Sequence, residues 1–98
     1  MYSVVNHMKL SRPLDDDIID RMNSELMPSI ARMPGAVEAL CVQVAEDGIV
    51  VVVVCESADS LERVHQEVGR PWIGRNLKPY LASTDRKVGP VIARPPNT

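Results

Sequence analysis

The chain has 98 residues, a formal charge of −2 and two cysteines, a length that fits one domain. The weak acidity gives no electrostatic footprint for nucleic acid, and two cysteines do not make the disulfide framework of a small secreted module. No basic stretch followed by an apolar signal core opens the sequence and no apolar run reaches the ~20 residues that span a bilayer, so the expectation is a cytoplasmic chain with neither nucleic-acid nor membrane partner.

Tyr2 to Leu10 alternates, with Tyr2, Val4, Asn6, Met8 and Leu10 on one side and Ser3, Val5, His7 and Lys9 on the other. That predicts a first strand with one apolar and one mixed face, ended by Ser11-Arg12-Pro13 because proline lacks the ladder donor. Asp15-Asp16-Asp17 places three carboxylates at a helix start, where they complement the helix dipole and Asp15 can cap free amides. Ile18, Ile19, Met22, Leu26, Met27 and Ile30 follow as one apolar stripe. Pro28 inside that stripe predicts a kink or a change of helix near Glu25-Leu26-Met27. Met33-Pro34-Gly35 ends the element, Gly35 being suited to positive φ.

Ala36 to Ala45 reads as a second strand, with Leu40, Val42 and Val44 on one face and Ala39, Cys41 and Gln43 on the other. Glu46-Asp47-Gly48 is a hairpin turn. Ile49 to Cys55 is a β-branched run, apolar at odd and even positions alike, and predicts a strand with both faces covered. Ser57-Ala58-Asp59-Ser60 starts a second helix, capped by Ser57 or Asp59, with Leu61, Val64, His65 and Val68 behind it. Gly69-Arg70-Pro71 predicts its end, and Pro71 the first turn of a shorter helix carrying Ile73, Leu77, Tyr80 and Leu81. Asp85-Arg86-Lys87 reads as a polar connection into a last strand, Val88 to Ala93, which Pro90 confines to an edge or a bulge. The expected organisation is one domain over residues 1–93 and a frayed tail from Arg94 to Thr98.

Strand, helix, strand, strand, helix, strand is the split βαββαβ order. It gives an α+β, ferredoxin-like antiparallel sheet with both helices on one face. Either Val50, Val52 and Val54 or Ile49, Val51, Val53 and Cys55 then face away from the helices. An apolar face of that kind is a partner surface, and two copies packing sheet to sheet about a two-fold axis would cover it. The alternative is a monomer whose tail or third helix folds over it.

Four segments carry a resemblance that spans nearly the whole chain. They are Val4-Val5-Asn6-His7-Met8, Met33-Pro34-Gly35-Ala36-Val37, Val53-Val54-Cys55-Glu56-Ser57, and Pro71-Trp72-Ile73 through Lys78-Pro79-Tyr80-Leu81. The chain resembles the dimeric α/β-barrel proteins, and within them the antibiotic-biosynthesis-monooxygenase-like (ABM-like) domains. The last segment is similar to the short third helix of some actinobacterial members. The resemblance implies two sheets packed as a dimeric α/β barrel. The group includes cofactor-free oxygenases, haem-degrading enzymes, decarboxylases and members with no known activity, so it implies fold more strongly than function.

Asn6 is the polar residue of most interest, because its amide sits on the helix-facing side of the first strand among apolar neighbours. Its plainer role is to bond neighbouring backbone. Haem-degrading relatives place an asparagine on this strand, a tryptophan at the end of the third strand and a haem-ligating histidine on the helix. Asn6 matches and His65 is on the right helix, but Val54-Cys55-Glu56-Ser57 carries no Trp. His7 and His65 can each act as a base near neutral pH, or His7 lines a dimer face and His65 is a half-buried helix residue. No metal-ligand spacing occurs and no cofactor is expected. Cys41 and Cys55 are expected as cross-strand neighbours and buried thiols.

Trp72 and Tyr80, with Arg75 and Asn76, could close a lid over the cleft, Met22 and Leu26 lining it; equally, Trp72 fills a core that has no Phe. Two functions follow. One is a cofactor-independent oxygenase for an apolar, aromatic or polyketide-like molecule, in which substrate deprotonation supplies the electrons. Asn6 then holds the oxyanion, His65 or His7 is the base and Trp72 packs the rings. The other is a non-catalytic ligand-binding or dimerisation module.

Overall fold

Strands β1 (Tyr2–Leu10) and β3 (Gly48–Cys55) form the centre of a four-stranded antiparallel sheet, flanked by β2 (Ala36–Ala45) and β4 (Leu81–Pro90) in the order β2-β3-β1-β4. The computed structural model describes residues 1–96; Asn97 and Thr98, the end of the expected tail, lie outside the described residues. Two helical elements, α1 (residues 16–31) and α2 (residues 58–77), cover one face. This is the ferredoxin-like fold expected from the order of elements.

The alternation of β3 decides which of its faces the helices cover. Ile49, Val51, Val53 and Cys55 are buried, while Val50, Val52 and Val54 are only half-buried. In register, Val52 lies between Val5 of β1 and Leu40 of β2, and Val50 lies opposite Val42. The open face therefore carries an apolar patch, with Leu40 38%, Val42 45% and Val44 61% exposed.

Both helices start where short polar side chains meet free amides. The Ile18 amide donates to Asp15 Oδ1 at 2.9 Å, and Ser57 and Ser60 form a reciprocal capping box. Inside the helices, proline sets the winding. The amides of Met27, Arg70 and Lys78 donate to the carbonyls of Met22, His65 and Ile73, five residues back instead of four. Each donor is followed by a proline, namely Pro28, Pro71 and Pro79. A proline inside an α-helix has no N–H to give, and its ring strikes the carbonyl four residues back. A π-turn just before it widens the helix at that point.

The kink expected near Glu25-Leu26-Met27 is the π-turn Met22–Leu26. The helix end expected at Gly69-Arg70-Pro71 does not occur. The chain absorbs Pro71 through the π-turn His65–Gly69 and stays helical to Leu77. Tyr80 then falls in a 3-10 turn, Lys78–Tyr80, and Leu81 opens β4 instead of ending a helix.

The last strand also differs from expectation, beginning at Leu81 and including Asp85-Arg86-Lys87. It is an edge strand and almost all its residues are exposed, so it carries polar side chains and reads as a loop. Charges on an edge discourage further pairing. Pro90 ends that edge strand, opposite Tyr2. Register shifts after Ala36 and after Gln43 place Cys41 opposite Val51 and Cys55 opposite Ala36, so the two thiols are not neighbours; both are free, Cys55 buried as expected and Cys41 only half-buried. Burial pushes both thiols up from their ordinary pKa.

Gly35 turns the chain from α1 into β2 at φ +84°, where an added Cβ would lie 2.6 Å from Ser60 Cβ and 2.8 Å from its Oγ. Gly35→Ala therefore combines left-handed strain of ~1–2 kcal/mol with loss of a cap worth ~1 kcal/mol. A fall of about 2–3 kcal/mol in urea-unfolding free energy is expected. A midpoint within error of the parent protein's would mean that the Gly35–Ser60 approach is not tight in solution.

Candidate functional site

Inside the layer between helices and sheet, a cavity of about 50 Å³ is lined by Asn6, Arg86, His65, Gly69 and apolar residues of α1, α2 and β3. Three elements aim polar groups at it. Asn6 and Arg86 stand opposite each other on β1 and β4, so both project to the helix-facing side. His65 comes down from the first position of the π-turn in α2.

Asn6 Oδ1 is buried and has no hydrogen-bond partner, the one such side-chain atom among the described residues. Leaving a buried acceptor unpaired costs ~1–3 kcal/mol, and native proteins keep few such groups. His65 is held below its ordinary pKa of 6.5, first by burial and then by the charge of Arg86, with Arg70 adding to the effect and Glu62 opposing it. Its imidazole is therefore neutral at pH 7 and able to accept a proton. Arg86 is exposed and makes no ion pair among the described residues.

Of the residues expected at a site, the structure brings together Asn6, His65 and Leu26. His7 lies on the open face, opposite Val50 and Asp85. Met22 borders a separate groove of about 450 Å³ between α1 and β2, with Cys41. Trp72 ties the helices together on another side: its Nε1 donates to Glu25 Oε1 at 3.1 Å, and its carbonyl accepts from Asn76 Nδ2 at 3.1 Å. Arg21 bonds both Glu25 and Asn76. Tyr80 donates its hydroxyl to Asp15 Oδ2 at 2.7 Å, with the Arg12 guanidinium over its ring. The Ile18 amide, then the Tyr80 hydroxyl, hold the Asp15 carboxyl below its ordinary range. Trp72 and Tyr80 therefore hold elements together and do not line the cavity. Arg86 was not foreseen in the sequence. The signal for it was its period-two spacing between Thr84 and Val88, masked by the polar run around it.

Among the described residues, no three His, Cys, Asp or Glu cluster as metal ligands, and no helix is long and apolar enough to cross a membrane. A porphyrin does not fit a cavity of about 50 Å³, which is room for one or two waters.

No protein-family model and no curated protein sequence matches the chain, but solved structures match over almost its full length. SnoaB, a cofactor-independent oxygenase from Streptomyces nogalater, superposes with a TM-score of 0.75 at 14% identity, over 98% of this chain and 97% of that one. A protein from Chloroflexus aurantiacus provisionally assigned as an antibiotic biosynthesis monooxygenase gives 0.64 at 18% identity, over 96% of each chain. The fold is ABM-like. A variant of MhuD, solved with two manganese protoporphyrin IX molecules bound per active site, gives 0.71 at 12% identity, over 99% of this chain and 100% of that one. The ABM-like fold thus carries both oxygenase and porphyrin-binding proteins, and identities this low transfer the architecture without the activity.

Proposed function

We propose that this chain is a monooxygenase-like protein that handles an aromatic or polyketide-like small molecule without a cofactor, with Asn6 and His65 as the groups that meet its reacting atoms. The observation that carries this reading is the orphaned Asn6 Oδ1 in a cavity shared with a neutral histidine. A substrate hydroxyl would satisfy that oxygen, while the amide Nδ2 can donate to oxygen charge that develops in the substrate. His65 removes a proton from an activated ring methylene, and the resulting carbanion reduces dioxygen. The methylene becomes a carbonyl and the second oxygen atom leaves as water; the four electrons and two protons come from the substrate, so no external reductant enters.

In Asn6→Ala, oxygen uptake across a panel of anthrones and quinols should fall about 100-fold, the usual effect of losing one such donor. Uptake unchanged from the parent protein would remove Asn6 from the chemistry. The sign of the pH dependence follows from His65. Its base form persists down to its lowered pKa, so the acid limb of kcat/KM should lie below 6.5. An acid limb above that value would place the base elsewhere.

A second reading, a non-catalytic ligand-binding or dimerisation module, is favoured by the small size of the cavity. Binding without oxygen uptake would select it. Both readings include a homodimer through the open sheet face. Two free cysteines also suit a reducing cytoplasm.

A further inference from the structure

We infer that the groove between α1 and β2 is a small-molecule site that takes a neutral fused-ring molecule bearing a hydroxyl. The groove opens because α1 diverges from the edge of the sheet. Its last turn, Met27–Ala31, packs on β2, whereas its first turns, Asp16–Arg21, stand further off. Ile19 and Met22 line one side, Ala39 and Cys41 the other, and Ile49 of β3 contributes from the core. The opening is about 450 Å³, within the range of small-molecule pockets, against about 50 Å³ at Asn6. Ile19 and Leu40 along it are each 38% exposed, so apolar wall stays in water until something covers it. Neither Asn6 nor His65 lines this groove, and the inference does not rest on the oxygenase reading.

The polar groups of the groove define what enters. None of the described residues that line it is charged. The charges next along its two walls are mostly carboxylates: Asp16, Asp17 and Asp20 on α1, and Glu46 and Asp47 in the hairpin that follows β2. Arg21, on the same turns of α1, is engaged by Glu25 and Asn76. That surround repels an anion. Two amides supply the polarity of the lining. Asn23 Nδ2 donates to the Ile19 carbonyl at 3.0 Å, and Gln43 Nε2 donates to the Ala45 carbonyl at 3.2 Å. A backbone carbonyl accepts only from the NH2 end of an amide, so that end is anchored in both. Asn23 Oδ1 and Gln43 Oε1 accept from no group among the described residues. The free capacity of the pair is therefore mostly that of an acceptor, which selects a ligand O–H over an ether.

The test uses 2-naphthol, with 2-methoxynaphthalene, which keeps the rings and loses the donor, and 2-naphthoate, which adds a charge. Cys41 reports occupancy: it lines the groove and is half-buried, while Cys55 is 0% exposed, so a thiol reagent added to the folded protein reads Cys41. 2-Naphthol should slow that labelling to saturation, with the ether about fivefold weaker, the ordinary worth of one hydrogen bond, and the naphthoate weaker than the naphthol. The double variant Asn23→Leu, Gln43→Met, at two exposed positions, should lose the preference for naphthol over ether while still binding the ether. Ala39→Phe should fill the groove and abolish protection, and Asn6→Ala should leave protection unchanged. Equal protection by naphthol and ether in the parent protein would overturn the hydroxyl-bearing class. Protection lost in Asn6→Ala would move the ligand to the other cavity, overturning this site and leaving the oxygenase reading in place. Labelling that ignores all three probes and slows as protein concentration rises would give the groove to a second copy of the chain and overturn the inference.

Discussion

Trp72→Ala should lower the unfolding free energy by about 3–5 kcal/mol, the range for truncating a buried large aromatic side chain. Trp72 is 5% exposed in a chain with no Phe and only two other aromatics, so no neighbouring ring can fill the void. Its indole N–H also donates to Glu25, which Arg21 holds from the preceding turn at 3.1 Å. Trp72→Phe separates packing from polarity: it keeps most of the volume, loses the hydrogen bond and should cost about 1 kcal/mol. Urea unfolding followed by far-UV circular dichroism reads both. Because Trp72 does not line the Asn6 cavity, the Phe variant should bind ligand as the parent does. A Phe variant of normal stability with impaired binding would return Trp72 to the ligand site.

Val52→Asp should convert the proposed dimer to a monomer. Val52 sits at the centre of the open face between Val5 and Leu40, where a sheet-to-sheet partner would bury it. A carboxylate without a partner there costs several kcal/mol. Four strands of 8 to 10 residues present roughly 600 Å² of flat sheet. That is the scale of the ~800 Å² each partner buries in a stable complex, once side-chain relief is added. Light scattering on a sizing column should show twice the 10.8 kDa chain mass for the parent and the single mass for the variant. A parent protein that runs at the single mass at micromolar concentration would exclude the sheet-face dimer.

The sheet was legible because its strands obey one rule at a time. Tyr2 to Leu10 alternates, Ile49 to Cys55 is apolar throughout, and Asp47-Gly48 marks the hairpin, so β1 and β2 have the expected bounds and β3 begins one residue before the expected Ile49, at Gly48. The edge strand β4 was not legible from its middle, since exposure on nearly every residue removes the period-two signal. The course of α2 was misread because Gly69-Arg70-Pro71 normally stops a helix; only backbone geometry shows that a widened turn can carry the chain past Pro71. At the site, Asn6 stood out as an amide within an apolar alternation. Arg86 did not, because its place depends on pairing with a residue 80 positions earlier in the chain. Trp72 and Tyr80 attracted attention by their rarity, yet their polar atoms are used within the protein by Glu25 and Asp15.

The widened turn in α1 has a consequence for phase. Its most buried residues are Ile18, Met22, Leu26 and Ile30, a strict step of four. At 3.6 residues per turn each such step overshoots a full revolution by roughly 40°, so an undistorted helix would swing Ile30 roughly 120° away from the line of Ile18. All four residues nevertheless pack into one core, because underwinding between Met22 and Met27 removes part of the overshoot. Pro28 thus acts as a phase corrector. Its ring enforces the wide turn, and the wide turn keeps Leu26 and Ile30 aimed at the cavity that Asn6 faces. Spacing by fours ahead of a proline is therefore a readable sign of such a turn.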